Sequence, residues 1–292
     1  MSTRVTLPCT RAQAEALPDA DELFDASDNP PVLVADEPDP NRPDDWLLHA
    51  YFEHEPTEDE LSLLAGIGSG PPRIEKLGEE DWVTRSQAGL EPIHAGRFFI
   101  HTPTHPPADG AINFEIDAGL AFGTGQHATT AGCLEALDRL ERQGKRFANI
   151  ADIGTGTGLL AFAALKLWPE ARAIATDIDP ISIDVTNDNA RINGITVGHA
   201  PGELLLSVAD GMDHGIVQAR APYDLLIANI LAGPLIDLAP AFVAATASGA
   251  TLILSGLLDT QSEAVIAACE AQGCNCIDYG KGEWRVLVLK TA

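Results

Sequence analysis

A glycine-rich run at residues 152–158 (DIGTGTG) joins an apolar segment, residues 147–153, to a helix-like run that ends near Trp168. Alternate glycines let a chain turn sharply from a strand into a helix and leave backbone N–H groups bare toward a ligand. The spacing is G-x-G-x-G, whereas a dinucleotide-binding loop normally reads G-x-G-x-x-G and holds a pyrophosphate. We therefore expect Gly154 and Gly156 to lie near a nucleotide-like ligand without a phosphate, such as the amino-acid end of S-adenosylmethionine. A glycine turn without any ligand is the alternative.

Strand and helix patterns alternate after this loop, which predicts a Rossmann-like α/β domain. Further strands are predicted at 172–176, 203–209, 223–228, 251–254, 274–279 and 284–289. Helices are predicted from Pro180 to just before Gly194, at 233–246 and at 260–271. Residues 280–283 alone separate the last two strands, so these should pair as an antiparallel hairpin. A seven-stranded sheet ended by such a hairpin is typical of class I S-adenosylmethionine methyltransferases, whereas dinucleotide dehydrogenases usually stay parallel.

The first 85 residues predict a smaller, separate domain. Strands are expected at 4–8, 31–35, 46–52 and 73–77, with helices at 11–24 and after Thr57, whose side chain can cap an acidic first turn. The order βαββαβ is that of the ferredoxin-like α+β unit, which leaves one face of its sheet available to a partner. The expected division is therefore this domain at 1–85, a linker at 86–108 and the α/β domain at 109–292.

The linker is predicted because residues 84–109 have no regular period and contain several prolines. An apolar run at 97–100 (RFFI) suggests that the linker partly docks. His101 and His105 have a spacing that a metal could use, but nearby prolines disfavour a helix, so solvent-facing histidines are expected. Cys274 and Cys276 are interpreted as strand residues, and no metal site is predicted.

Polar residues end the successive strands of the α/β domain, and in an open sheet ligands bind at this carboxyl edge. The residues are Asp152, Asp177, Asp210 and Asn229. Asp177 lies 19 residues beyond Gly158, where an acidic side chain accepts the hydroxyls of an adenosine ribose. Helix capping is the alternative, although Asp179 is better placed for that role before Pro180. Asp210 binds the adenine amino group or is a solvated loop acid.

Asn229 begins the segment 229–232 (NILA) and is the predicted catalytic residue. Methyl transfer to an amine needs a neutral nitrogen, yet a lysine with a pKa of about 10.4 is almost wholly protonated at pH 7. A side-chain amide oxygen can hold the amine on the transfer line without itself becoming a nucleophile, so positioning would supply most of the acceleration. The alternative is that Asn229 only caps the end of a strand.

A second glycine-rich loop, residues 122–127 (FGTGQH), precedes a predicted helix that continues through Leu140. We expect this loop to fold over the cofactor, with Phe122 lining the pocket and Thr129 or Thr130 supplying a hydroxyl at the helix start. His127 is either a general base or a backbone-bonding residue at a helix N-terminus.

Charge and composition limit the partners. Eighteen basic against 43 acidic residues leave a formal net charge of −25, which argues against nucleic acid as the main partner. A basic protein would be attracted, although a solubilising surface explains the charge equally well. The N-terminal residues lack a secretory pattern, and the five cysteines form no even disulfide set. Pro240 and the SGAT turn at 248–251 interrupt the apolar run 238–258, so we expect no membrane span. The cysteine pattern fits a reducing cytoplasm. We also expect a monomer.

Taken together, these residues resemble the ribosomal protein L11 methyltransferases (PrmA family) along nearly the whole chain. The family run D-P-G-L-A-F-G-T-G-T-H-P-T-T stands here as residues 117–130 with three changes, Ala118, Gln126 and Ala128. Further family motifs stand at 152–158, 177–180 (DIDP), 228–235 (ANILAGPL), 254–258 (LSGLL) and 283–284 (EW).

The resemblance implies S-adenosylmethionine as cofactor and a basic ribosomal protein as substrate, methylated on lysine and N-terminal amines and recognised by a ferredoxin-like N-terminal domain. By position it implies that Thr130, Gly154, Asp177 and Asn229 contact the cofactor, with Asn229 also facing the amine. We therefore predict a protein-amine methyltransferase. The alternatives are the same chemistry on the lysine of another protein, a nicotinamide-dependent oxidoreductase, and a non-catalytic assembly factor.

Overall fold

The computed structural model describes residues 2–15, 23–24, 30–36, 46–52, 54–77, 92–116, 126–278, 280 and 284–292. The chain divides into two compact units, Met1–Ser86 and Gln87–Ala292. The first unit contains the strands β1 (Ser2–Cys9), β2 (Val32–Asp36), β3 (Trp46–Phe52) and β4 (Arg73–Leu77), with the helices α1 (Arg11–Glu15) and α2 (Glu58–Ala65). Its sheet has the order β2-β3-β1-β4, and every neighbouring pair is antiparallel. The helix predicted at 11–24 begins at Arg11, and residues 16–22 lie outside the described part.

Alternation along β1 and β3 builds the core of this unit, because every second side chain points to the same face of a sheet. The buried apolar residues of these strands are Val5, Leu7, Cys9, Leu48, Ala50 and Phe52, and Phe24 and Leu64 pack against them. Thr57 caps α2 as predicted: its hydroxyl accepts the Glu60 N–H, and the Glu60 carboxylate accepts the Thr57 N–H at 2.8 Å. The acidic first turn is thus fixed in a capping box.

The region predicted as a linker, residues 86–108, contains regular strands in its described part, which begins at residue 92. β5 (Ile93–Ala95), β6 (Phe98–His101) and β7 (Ile112–Glu115) form a three-stranded sheet, antiparallel between β5 and β6 and parallel between β6 and β7. All four side chains of β6 are buried, so the apolar run is a strand covered on both faces. The expectation of a solvent-facing His101 is wrong, since this residue is 6% exposed and stacks on Phe99.

A seven-stranded mixed sheet with the order β10-β9-β8-β11-β12-β14-β13 forms the body of the second unit. Its strands are β8 (Asn149–Ile153), β9 (Arg172–Asp177), β10 (Leu204–Val208), β11 (Tyr223–Asn229), β12 (Thr246–Leu258), β13 (Asn275–Asp278) and β14 (Trp284–Lys290). Neighbours from β10 to β12 are parallel, and β14 is antiparallel to both β12 and β13. The predicted α/β fold is therefore confirmed.

Helices cover both faces of this sheet. They are α3 (Gln126–Arg142), α4 (Leu159–Leu167), α5 (Pro180–Ile192), α6 (Gly215–Arg220), α7 (Ala232–Ala244) and α8 (Ser262–Glu270). Successive residues of β8 alternate between two apolar cores: Ile150 packs into one and Ala151 into the other.

Pro240 lies inside α7 rather than ending it. The residue four positions earlier, Ile236, is exposed, as is Pro240, so water can satisfy the carbonyl group that the missing N–H leaves free. The apolar run nevertheless divides into a helix and a strand as predicted, with β12 starting at Thr246 beside Tyr223. Within the described ranges, no helix is long and apolar enough to cross a membrane.

Candidate active site

Three of the predicted strand-end residues lie on adjacent strands at the carboxyl edge of the sheet. Asp177 is the last residue of β9, Asp152 lies near the end of β8, and Asn229 is the last residue of β11. The strand order β9-β8-β11 makes β8 the central member, and in the register Asp152 pairs with Ile227. The structure therefore brings together the side chains that the sequence placed at strand ends.

The loop between β8 and α4 depends on its glycines. Gly154, Gly156 and Gly158 have φ values of 71°, 57° and 85°, a left-handed conformation that glycine adopts without strain. The N–H groups of Gly154 and Thr155 donate to the Thr176 carbonyl at 2.8 and 2.9 Å. These bonds tie the start of the loop to the end of β9.

Helix α5 holds the carbonyl side of the same loop. The Thr186 hydroxyl donates to the Gly156 carbonyl at 2.8 Å, and the Asn189 side-chain amide donates to the Thr157 carbonyl at 3.1 Å. Both side chains are almost fully buried. The loop is thus fixed from two neighbouring elements, which leaves its conformation well defined before any ligand binds.

Asp177 is a loop-supporting residue and not the helix cap. One of its carboxylate oxygens accepts the Gly156 N–H at 2.9 Å, and the other accepts the Asp179 N–H at 3.1 Å. Asp179 caps α5 by accepting the Ile181 N–H at 2.9 Å, as the sequence predicted. The Asp177 carboxylate therefore lies beside the glycine loop and stabilises its backbone.

Asp152 is 1% exposed and stabilises the glycine loop from the end of β8. Its Oδ2 accepts the Thr155 hydroxyl at 2.7 Å and the Ala161 N–H at 3.1 Å. Its Oδ1 is buried without a hydrogen-bond partner among the described residues. Burial raises the pKa of Asp152 to about 6; the bonds from Thr155 and Ala161 oppose this rise, and the charge of Asp177 adds to it.

The raised pKa of Asp152 predicts a pH-dependent stability. The folded chain binds this proton more tightly than the unfolded chain, so the contribution is fully present below about pH 4 and is lost as the pH rises through about 6. It amounts to about 3 kcal/mol at most. We expect Asp152→Asn to gain free energy of unfolding relative to the wild type as the pH rises from 4 to 7, measured by urea denaturation at each pH. A difference that does not change with pH would contradict the assignment.

Asn229 lies opposite the start of α3. Its side-chain N–H donates to the Thr130 hydroxyl in a long hydrogen bond of 3.4 Å. Its Oδ1 is buried, and no hydrogen-bond partner for it lies in the described part of the chain. Of the two threonines that the sequence offered at the helix start, Thr130 is the one bonded to Asn229, while Thr129 is 2% exposed.

The other predicted site residues are placed less completely. Asp210 lies two residues beyond the end of β10 at Val208, so it does not end the strand directly as predicted, and it is exposed. Phe122 lies outside the described residues, as do the side chains of Gln126 and His127. The described His, Cys, Asp and Glu side chains include no group that could hold a metal ion.

Sequence reasoning missed the packing around Ile230. A Cβ added to Gly154 would lie 2.3 Å from Ile230 Cγ2, and a Cβ added to Gly256 would lie 2.2 Å from the Ile230 carbonyl oxygen. Ser255, the register partner of Asn229, is also part of this region and donates its hydroxyl to the Arg285 carbonyl at 2.8 Å. The glycine in the run at 254–258 was the available signal, but only the fold shows which residue it faces.

Comparison with known proteins gives a consistent set of relatives. The family model described as ribosomal protein L11 methyltransferase (PrmA) matches residues 10–292. A ribosomal protein L11 methyltransferase of Mesorhizobium japonicum is 39% identical over 294 residues, covering 99% of both chains. One of Brucella suis is 44% identical over 231 residues, covering 77% of this chain and 78% of the relative. A crystal structure of a ribosomal protein L11 methylase from Lactobacillus delbrueckii subsp. bulgaricus aligns with a TM-score of 0.59 at 26% identity, covering 70% of this chain and 99% of that one.

Proposed function

The chain belongs to the ribosomal protein L11 methyltransferase (PrmA) family, and on this premise we propose that Asn229 aligns an amine of the protein substrate at the carboxyl edge of the sheet. It is an S-adenosylmethionine-dependent protein methyltransferase. The observation that carries the proposal is the buried Asn229 Oδ1, an acceptor that finds no partner among the described residues and stands beside the glycine loop.

The residues at this edge fit the cofactor. At Gly156 no described atom comes within 4 Å of the place of a Cβ, which leaves room for a ligand against the loop. Each Asp177 oxygen accepts one backbone N–H and can accept another hydrogen bond, as ribose hydroxyls require. We propose that Gly154, Gly156, Asp177 and Thr130 hold the cofactor, that Asp210 binds its adenine amino group, and that Phe122 lines the pocket. When bound, S-adenosylmethionine supplies an electrophilic methyl group.

Asn229 has the chemistry to receive an amine. Its Oδ1 accepts an N–H of the incoming nitrogen, while its own N–H points toward Thr130 in a long hydrogen bond. An amide oxygen is a poor nucleophile, so it does not compete for the methyl group. A lysine must lose its proton before it reacts, and burial beside Asn229 favours the neutral amine because desolvation disfavours a charged group.

We propose that the unit Met1–Ser86 is ferredoxin-like and recognises the substrate, ribosomal protein L11. The strand order β2-β3-β1-β4 and the positions of α1 and α2 support this assignment. The sheet face opposite its core includes Val32 and Val34 of β2, both exposed, which suits contact with a protein. The net charge of −25 attracts a basic protein and repels bare nucleic acid, so no direct nucleic-acid contact is proposed.

We also propose that the protein works in the cytoplasm as a monomer. Cys133, Cys269 and Cys274 are buried free thiols, which suits a reducing compartment. Burial raises the pKa of the Cys133 thiol to about 12, so this thiol is inert at neutral pH.

Removing the Asp177 carboxylate is expected to weaken cofactor binding. Asp177→Ala should raise the Kd for S-adenosylmethionine by about 10–100-fold, because hydrogen bonds to a charged group contribute about 1.5–3 kcal/mol. Isothermal titration calorimetry measures this directly. Asp213→Ala is a matched control, since it removes the same charge from an exposed side chain near the same edge and should leave Kd unchanged. An equal rise in Kd in both variants would mean that Asp177 acts only through its contribution to the net charge.

A further inference from the structure

Ile230 directly follows Asn229 and packs closely against two glycines, Gly154 and Gly256. Its Cγ2 methyl group occupies the space beside Gly154, where an added Cβ would be 2.3 Å away. Its backbone occupies the space beside Gly256, where an added Cβ would lie 2.2 Å from the carbonyl oxygen, 2.7 Å from the carbonyl carbon and 2.9 Å from the nitrogen. Side chain and backbone are therefore both in close contact, on opposite sides of one residue.

The two glycines belong to different parts of the site. Gly154 begins the glycine loop and is tied to β9 through the Thr176 carbonyl. Gly256 lies on β12 with φ of 88° and directly follows Ser255, whose hydroxyl is bonded to the Arg285 carbonyl. Ile230 thus connects the glycine loop to β12 at the point where the chain leaves Asn229.

The shape of the side chain makes this contact specific. Isoleucine branches at Cβ, so Cγ2 is held close to the backbone and χ1 is restricted. Gly154 in turn cannot retreat freely, since its N–H and that of Thr155 are bonded to the Thr176 carbonyl at 2.8 and 2.9 Å. A methyl group on Cβ can therefore set the separation between the loop and the backbone of residues 229–230.

We propose that Ile230 is a positioning residue, whose Cγ2 methyl group against Gly154 fixes the distance between the glycine loop and Asn229. This inference rests on the function proposed above, in which the loop holds the methyl donor and Asn229 holds the amine. Methyl transfer is sensitive to that distance, because a displacement of about 1 Å in an active site can cost a factor on the order of 100 in rate. In this proposal Ile230 acts through Gly154 and Asn229, not on a reactant directly.

Two conservative substitutions separate positioning from simple packing. Ile230→Val keeps the branch at Cβ and loses one methyl group. Ile230→Leu keeps the number of carbon atoms but moves the branch away from Cβ, so the contact with Gly154 is lost. Positioning predicts that valine is tolerated and leucine is not, whereas a role limited to buried apolar volume predicts the reverse order.

The first measurement is hydrogen exchange of the full-length protein without cofactor, followed by mass spectrometry or NMR. We expect the amides of Gly154, Thr155 and Gly156 to exchange faster in Ile230→Leu than in the wild type, and at the wild-type rate in Ile230→Val. The second measurement is steady-state kinetics: Ile230→Leu should lower kcat about 10–100-fold with KM for S-adenosylmethionine nearly unchanged, and Ile230→Val should retain kcat.

Unchanged exchange in Ile230→Leu would overturn the inference, as would equal losses of kcat in both variants. The hydrogen-exchange result does not depend on the reaction. If Ile230→Leu speeds exchange of the loop amides but the wild type is inactive, the proposed function is wrong while the contact between Ile230 and Gly154 is supported. Thermal unfolding of both variants shows whether they are folded. If the Ile230→Leu variant does not fold, Ile230→Val still tests the inference, because a loss of kcat in a variant that keeps Cγ2 contradicts the role of that methyl group.

Discussion

Replacing Asn229 with alanine is expected to lower kcat for methylation by about 10²–10³-fold, the cost typical of removing one pre-positioned polar group that acts on the reacting atoms. The reason is structural: Asn229 Oδ1 is a buried acceptor without a partner among the described residues, while the amide N–H faces Thr130. Steady-state kinetics with a saturating protein substrate measure the change. Thermal unfolding of the same variant should show that the fold is retained, since Asn229 is at the end of β11 and its side chain makes one hydrogen bond to the described residues, a long one of 3.4 Å.

Asn275→Ala is the matched control for this prediction. Asn275 begins β13 at the far edge of the same sheet and is exposed, so its amide can be removed without touching the carboxyl edge near Asn229. We expect wild-type kcat. An Asn229→Ala enzyme with unchanged kcat would mean that the residue only ends a strand, and the amine would have to be held elsewhere.

The second large effect is on stability. Gly256→Ala is expected to lower the free energy of unfolding by about 2–5 kcal/mol, the sum of forcing a residue with a side chain into the left-handed region and of inserting a methyl group where there is no space. The φ of Gly256 is 88°, and its Cβ would lie 2.2 Å from the Ile230 carbonyl oxygen, a backbone atom that cannot rotate away. For a chain of this size the loss corresponds to a decrease in Tm on the order of 10 °C.

Differential scanning calorimetry measures that decrease, and Gly215→Ala provides the comparison. Gly215 is the first residue of α6 and is outside the set of glycines with positive φ; no described atom lies within 4 Å of its added Cβ. Alanine there should be neutral or slightly stabilising, because it reduces the freedom of the unfolded chain. If Gly256→Ala unfolds at the wild-type temperature, Ile230 is not held by close backbone contact, and the inference drawn for that residue loses half of its support.

Much of the sheet and its carboxyl edge could be predicted because those features are local in the sequence. A glycine loop after an apolar strand, an aspartate at the end of the next strand and a proline after Asp179 each follow from the preferences of neighbouring residues. Asp177 and Asp179 illustrate this: the sequence predicted that the second would cap the helix and leave the first free for another role, and the structure bonds Asp179 to the Ile181 N–H. The role of Asp177 toward a ribose remains a proposal.

Features that depend on contacts between distant parts of the chain could not be predicted. Thr130 and Asn229 are 99 positions apart, so their hydrogen bond follows from the fold and not from either motif. The same holds for Gly256: a side chain is excluded at this position by Ile230, which directly follows the neighbouring strand β11. Strand β6 was not predicted, because the nearby prolines indicated a linker. Phe98 and Ile100 of this strand are buried by packing in the core of the second unit, which the local sequence does not show.

The central claim, that Asn229 aligns an amine for methylation, is tested most directly by the intact mass of ribosomal protein L11 after incubation with the purified enzyme and S-adenosylmethionine. The wild type is expected to add mass in steps of one methyl group, located on lysine or N-terminal amines by fragmentation. Asn229→Ala, folded and able to bind the cofactor by calorimetry, is expected to leave the substrate unmodified over the same period. Methylation by the alanine variant at the wild-type rate, or no added methyl groups with the wild type, would contradict it.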